Sequence, residues 1–521
     1  MRLQQEEGRP GRNNSRSTDG PMLETGGSGE NTTANVAVVG NAPSRQLTLF
    51  DGISTIVSLM VGSGIFTTAG EVQSEVGSPG LALVLWLVTG LLALTGALCY
   101  AELGTMIPGS GGEAQYLQRG IGRLAVYLFN WTSIMLLKPG TVALLAVATS
   151  RYILMMIALL LGEWAISEQK ELFGLGSSSS EWVVCGVAVG FVLLVTLLSA
   201  ASTKWSNRIQ GVLTFGKIGA LGLVILSGFY YMIFRDSSIV RANLGRPFDG
   251  TKVEFKTLAG ALNGGLWAFE GWNNLNIVAG DLVKPAVNLP LAIWSSMALV
   301  LSLYLLTLLG YYAVIPAAQV AISTTIGIDF GREVFGQFGA VLMPLLIAAS
   351  TFGSALSSMV TSSEIIVLAA GEKQIPAVFG RVSRHSGTAA NAYIMQGVLA
   401  AVLVMFSGNK ALLAMYTVPS WIFYGLCVFV LLKLRWTEPK AARPYRVFLS
   451  TPVLFLAACC WLLVTGFIAS MLHVGLSFGV VLLGVPLYYL SEHFISKSAV
   501  KKELAMKEST EAKSPLMQDK P

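Results

Sequence analysis

Two short stretches hold the residues best placed to do chemistry. Leu59-Met60-Val61-Gly62-Ser63-Gly64-Ile65-Phe66 sets two glycines around a serine in an otherwise apolar run, and Trp267-Ala268-Phe269-Glu270-Gly271-Trp272-Asn273-Asn274 sets an acid, a glycine and two amides in another. A glycine costs a helix about 1 kcal/mol relative to alanine, and the polar groups would be stranded on an apolar helix. Both stretches therefore read as helix interruptions. A half-helix beginning near Ser63 and Gly64 presents unpaired N–H groups and a positive dipole end, which suit a carboxylate. Carbonyls released where the preceding halves end suit an ammonium group. A cavity offered both receives a zwitterion, and the smallest abundant zwitterions are amino acids. For the first stretch a packing role stands beside this reading, because small residues also let helices approach closely.

The elements that position these stretches are set by composition. Of 521 residues, 53% are hydrophobic and 12% charged, with a mean hydropathy of +0.63, so lipid is the main solvent. About 20 apolar residues cross a bilayer. Twelve such runs are predicted, at 47–72, 80–104, 123–150, 182–201, 210–234, 257–280, 289–315, 338–370, 389–406, 411–433, 451–472 and 474–494. The interruptions fall in the first and sixth, five spans apart. Because five is odd, two five-helix units insert with opposite orientation, the sequence pointer to a transporter binding site. The predicted fold is an all-α membrane protein of twelve transmembrane helices, a five-plus-five inverted repeat with broken first and sixth helices plus two extra helices. Repeat one covers about 45–235, repeat two about 256–434 and the extra helices about 450–495. Flanking this domain (45–496), residues 1–44 and 497–521 read as disordered cytosolic tails. Residues 1–40 contain no apolar core of a signal peptide, and Lys and Arg are more frequent in the loops this topology places in the cytosol.

Other polar residues within the spans are sparse. Lys217, in the fifth, is costly unless paired, and a place beside the broken first helix would let its ammonium stand where a cation could. Ser350, Ser354, Ser357, Ser358, Thr361 and Ser362 fall on one face of the eighth, as a packing seam or a substrate path. Glu270 could attract a cationic side chain, relay a proton, or be tied to its polar neighbours. Lys138 and Arg151 fit structural pairing or snorkelling, and Glu102 and Asp51 fit gate or cap roles as well as interfacial solvation. The five cysteines lie in or at the ends of apolar runs, without disulfide or metal-ligand spacing. The net charge of +6 needs no nucleic-acid partner, since a lipid-facing basic rim accounts for it. No Walker loop, nucleophile–base pair or cofactor motif is present, so neither an enzyme, a bound cofactor nor ATP-driven pumping is expected.

Several motifs resemble the L-type amino acid transporters: Gly62-Ser63-Gly64-Ile65-Phe66, Gly77-Ser78-Pro79-Gly80-Leu81-Ala82, Gly96 through Thr105, Ser110-Gly111-Gly112, Gly271-Trp272-Asn273, Asn288 through Ile293, and Arg443-Pro444. The resemblance covers all but the tails. It implies the five-plus-five fold of the amino acid–polyamine–organocation superfamily. It also implies that backbone N–H groups of Ser63 and Gly64 take the substrate carboxylate, with Ile65 beside them. Carbonyls of Met60, Trp267 and Glu270 would take the ammonium. Trp267 would be an aromatic gate, Asn273 a support for the sixth-helix break and Lys217 the stand-in for a sodium ion; the residue types alone make Trp267 and Phe269 apolar or aromatic substrate contacts, with a core role standing beside that reading.

Members of that family are typically sodium-independent and often exchange large neutral amino acids. Three departures bear on the transfer. Residues 160–181 lack the cysteine that tethers a heavy subunit, so no disulfide-linked partner is expected and the chain resembles a stand-alone permease. Glu270 stands where neutral-preferring members often have glycine. Glu364 stands where the family usually shows arginine. The leading expectation is thus a plasma-membrane, sodium-independent carrier of large neutral amino acids. The alternatives are a proton-coupled or cation-accepting permease using Glu270, and a non-transporting nutrient receptor.

Overall fold

The computed structural model describes residues 47–107, 109–160, 178–235, 238–383, 387–406, 409–469 and 471–513. These belong to one compact unit that begins at Arg45. The expected tail 1–44 and most of the loop 160–181 lie outside the described residues. Apart from an isolated bridge between Leu47 and Leu282, the described residues are helices and connections.

The chain enters through α1 (Leu49–Met60), whose start is closed by a reciprocal cap between Thr48 and Asp51, so Asp51 acts as a cap. After Val61-Gly62-Ser63 the path bends by 48° into α2 (Gly64–Val76), which stops at Gly77 in the left-handed region, φ +76°. Then come α3 (Pro79–Met106), the short α4 (Glu113–Gly120) and α5 (Arg123–Thr132). A single π turn (Ser133–Leu137) joins α5 to α6 (Lys138–Leu160). Pro139 has no N–H to give the carbonyl four residues back, and the Lys138 N–H reaches Ser133 instead. Next are α7 (Ser178–Ala201), α8 (Thr203–Phe234), α9 (Ser238–Leu244) and α10 (Phe255–Ala268). α10 gives way to turns and a 3-10 segment, Asn274–Asp281.

The remainder is α11 (Pro285–Val314), α12 (Ala317–Ile322), α13 (Ile326–Gly371), α14 (Ala390–Phe406), α15 (Asn409–Thr437), α16 (Ser450–Ala469) and α17 (Met471–Lys513). α13 is two helices in series, divided at Gly336 with φ +62°; the second corresponds to the expected eighth span. α17 continues as helix to Lys513, through residues that composition assigned to a tail.

Among the described residues nine helices are long and apolar enough to cross a membrane, and ten if α1 and α2 count as one bent span. The two remaining predicted spans are the ones that length discounts: α10, at 14 residues, and α14, at 17. The principal packings join α6 with α13, α8 with both α11 and α13, α2 with α10, α7 with α14 and α3 with α11. Large apolar side chains such as Leu197, Phe215, Leu226 and Leu482 are exposed on the outer surfaces, as a lipid solvent requires. The core is built around Trp86, Tyr100, Trp272 and Tyr304.

Glu102, for which solvation competed with a gate or cap, is completely buried. Its carboxylate binds the Arg435 guanidinium, lies 3.6 Å from Arg443 Nε and accepts the Val447 N–H at 2.9 Å. This knot pins the end of α3 to α15 and the loop after it.

Candidate functional site

The two breaks meet. A Cβ at position 64 would stand 2.4 Å from Ala268 Cα, and one at 271 would stand 2.9 Å from Leu59 Cβ. Gly64 is therefore required by the crossing of α2 over the end of α10. Gly271, at φ +116°, both turns the chain and lets it pass α1. The Tyr304 hydroxyl, from α11, stitches the crossing by donating to the carbonyls of Met60 at 2.8 Å and Ala268 at 3.0 Å.

Around this crossing lies a narrow cavity with about 70 Å³ of free volume. Of the residues named from sequence, Met60, Ser63, Gly64, Trp267, Glu270 and Asn273 line it. Ile65 and Phe269 do not. Both are fully buried in the core, where Phe269 packs against Trp86 and Tyr304 with centroids 6.1 and 5.1 Å apart. Trp267 meets Tyr416 edge-on at 5.2 Å.

Lys217 reaches the first break from outside the cavity. Its Nζ donates to the Ser58 carbonyl and to Ser354 Oγ, both at 2.6 Å, while Ser354 Oγ donates to the Ser58 carbonyl at 3.0 Å. Ser350 donates to the carbonyls of Val61 and Gly62 at 3.2 and 3.3 Å. The carbonyls released where α1 ends are thus met by one ammonium and three hydroxyls, those of Ser350, Ser354 and Tyr304. Further along the serine stripe, Ser358 and Thr361 line the cavity.

The sixth-helix break is held differently. Glu270 accepts a hydrogen bond from the Tyr424 hydroxyl. Asn273 Nδ2 donates to Glu113, and Lys138 Nζ donates to Asn274 Oδ1 at 2.8 Å. Lys138, delivered by the π turn, lines the cavity within electrostatic range of Glu113, Glu270 and Glu364, so of the two expected roles it takes structural pairing, here with Asn274, rather than snorkelling. Sequence reasoning missed Glu113, Tyr416 and Tyr424, and gave Asn274 a place in the break but no role of its own. The two tyrosines are eight residues apart on α15, a spacing that puts them on one helical face, which was the available signal.

Two further pockets flank the cavity. One, lined by Glu71, Glu75, Arg151 and Tyr152, shares Ser63 and Trp267 with it. The other, lined by Ser110, Gln115, Arg119 and Glu372, shares Glu113, Phe129, Ile277 and Ile365. A central cavity at two helix breaks, with a pocket on either side, defines a helical membrane transporter.

The chain matches the amino acid permease family over residues 47–488 and belongs to it. It is 31% identical to the human (Homo sapiens) b(0,+)-type amino acid transporter 1 over 79% of this chain and 80% of that one. With the human cystine/glutamate transporter it shares 31% identity over 86% of this chain and 85% of the relative. The mouse (Mus musculus) large neutral amino acids transporter small subunit 2 is 30% identical over 88% and 83%. The protein is accordingly an amino acid transporter, with relatives in the L-type group that the motifs resemble.

Proposed function

We propose that the chain is a sodium-independent exchanger of large neutral amino acids, working by alternating access through twelve spans arranged as a five-plus-five inverted repeat. The observation that carries the sodium-independent part is the Lys217 ammonium at the first break, bonded to the Ser58 carbonyl and Ser354 Oγ. A tethered cation there leaves no need for a diffusible one. Four packings that each join a span to the span five later, α2–α10, α3–α11, α6–α13 and α7–α14, support the repeat. α10 and α14 supply the sixth and ninth spans.

Substrate carboxylate is received by the N–H groups at the start of α2, around Ser63 and Gly64, and its ammonium by carbonyls at the ends of α1 and α10. The Met60 carbonyl already accepts from Tyr304 at 2.8 Å and from the Gly62 N–H at 2.8 Å, so the ammonium reaches it by displacing one of these donors. Trp267 and Tyr416 close the cavity from the Arg151-side pocket. With both termini cytosolic, in the plasma membrane, that pocket faces outward and the α4-side pocket inward. The chain works without a disulfide-linked heavy subunit, since residues 160–181 lack cysteine.

Purified protein in liposomes preloaded with leucine should take up external leucine equally with and without sodium. Exchange that requires sodium, or no leucine exchange in any format, overturns the proposal. A second reading is favoured by one feature, the Glu270 carboxylate in the cavity wall: cationic amino acids would be accepted too. Lysine competing as strongly as leucine, and losing that ability in Glu270→Gln, would establish it.

A further inference from the structure

Glu113 belongs to no part of the substrate scheme above, yet its side chain is 1% exposed. One carboxylate oxygen, Oε1, accepts from Asn273 Nδ2. The other, Oε2, is buried with no hydrogen-bond partner, an uncommon state for a carboxylate oxygen. Glu113 is also the one titratable residue that lines both the central cavity and the α4-side pocket. It therefore stands in the partition between them.

The partition is built from α4 and the loop before it, strapped onto the second half of the broken sixth span. Gly111 N–H donates to the Ile277 carbonyl at 2.7 Å, Glu113 holds Asn273, and the Tyr116 hydroxyl donates to Asn276 Oδ1 at 3.0 Å. At the far end of the same segment, Leu47 N–H donates to the Asp281 carbonyl at 3.0 Å and Val283 N–H to the Leu47 carbonyl at 2.9 Å. Among these straps, the Glu113–Asn273 bond is the one whose strength changes with a proton. A carboxylate accepts roughly twice as strongly as a neutral acceptor.

We propose that Glu113 is a positioning residue of the inner gate, whose carboxylate holds Asn273 and keeps the cavity shut toward the α4-side pocket, and whose protonation from that pocket releases the segment. Six groups face it from the elements packed around it. They are Lys138 from the third span, Glu270 from the sixth-span break, Tyr100 from α3, Tyr116 from its own helix, and Tyr424 and Cys427 from α15. Lys138 and Glu270 are the charges among them, of opposite sign, and act on Glu113 in opposite directions. α4 lies outside the membrane-spanning helices, and burial raises the Glu113 carboxyl above the usual carboxylate range. With a raised pKa the ionised, closed form prevails at higher pH and is lost as pH falls.

This inference rests on the exchange reading, and one experiment separates the two. Leucine exchange is measured in liposomes while the pH on the α4 side is varied and the opposite side is fixed. Wild type is expected to speed up as that pH falls, by up to about tenfold per unit, the limit for one proton. Glu113→Gln, a permanent neutral acceptor, is expected to be fast and flat. Glu113→Asp, which keeps the charge, is expected to retain a slope, and Glu270→Gln to retain it at an altered rate. A Glu113→Gln profile with the wild-type slope overturns the proposal, as does a slope lost in Glu270→Gln but kept in Glu113→Gln. If Glu113→Gln exchanges nothing and also binds no leucine while Glu113→Asp is flat, the role is structural and the proposal falls. Absence of exchange in the wild type at every pH would instead defeat the exchange reading itself.

Discussion

The two helix breaks cross within a few ångströms of each other, yet they are held by opposite means. At the first, three residues separate α1 from α2, and the freed carbonyls are taken up by Lys217, Ser350 and Ser354. The donors come from α8 and α13, and of the three only Ser354 also lines the cavity. At the second, the chain passes through Gly271 and a 3-10 segment and is held by Glu113, Lys138 and Tyr424, two of them charged, all lining the cavity. A break stitched largely from behind keeps its shape whether the cavity is full or empty. A break stitched from within the cavity responds to what enters it. On this comparison the first break is expected to act as the template and the second as the part that moves.

The sharpest way to break this comparison is to remove the template's cation. Lys217→Ala deletes two charge-assisted hydrogen bonds, each worth about 1.5–3 kcal/mol, and leaves the Ser58 carbonyl relying on Ser354 alone. Leucine exchange should fall by about a hundredfold or more, with a lowered melting temperature. Near-wild-type exchange would mean that the first break does not depend on its backing.

Next comes the crossing itself. Gly64→Ala would press a methyl against Ala268, whose Cα lies 2.4 Å from the new Cβ position, and overpacking costs about 1–3 kcal/mol. Leucine binding should weaken by about tenfold or more, because the displaced start of α2 is the proposed dock for the carboxylate. Unchanged binding would place the carboxylate elsewhere. For the second break the expected effect is one of preference. Glu270→Gln keeps the shape and removes the charge, so leucine exchange should survive within about threefold while competition by lysine drops about tenfold, roughly 1.4 kcal/mol. Equal loss of both substrates would make Glu270 part of the template rather than of the responsive half.

The sequence disclosed these two regions unequally, for the same reason that they differ. Glycine and polar residues are conspicuous in a run that must otherwise satisfy its backbone internally, so both breaks could be read, and so could Lys217 and the serine stripe. Depth was readable but direction was not. Ile65 and Phe269 sit next to lining residues, yet neither faces the cavity, since one position on a helix turns the side chain by about 100°. The donors and acceptors of the second break come from far along the chain, Glu113 from α4 and Tyr424 from α15. Their types are unremarkable where they stand, and only packing brings them to the site. Lys138 needed the π turn before Pro139, which hydrophobic periodicity does not register.

The smallest expected effect tests whether backing is local to the first break or spread along the stripe. Ser350 and Ser362 are both buried to 1% and both belong to the hydroxyl face of α13. Ser350 donates to the carbonyls of Val61 and Gly62, whereas Ser362 Oγ has no partner. Removing the first hydroxyl strands carbonyls and should cost about 1 kcal/mol, whereas removing the second removes an unpaired polar atom and should be neutral or slightly stabilising. Ser350→Ala should therefore slow leucine exchange by about fivefold with a small drop in melting temperature, and Ser362→Ala should leave both unchanged or raise the melting temperature. Equal losses in the two variants would mean that the stripe acts as one packing seam, and the first break would lose its separate backing. Equal silence would leave Lys217 and Ser354 to hold the template between them.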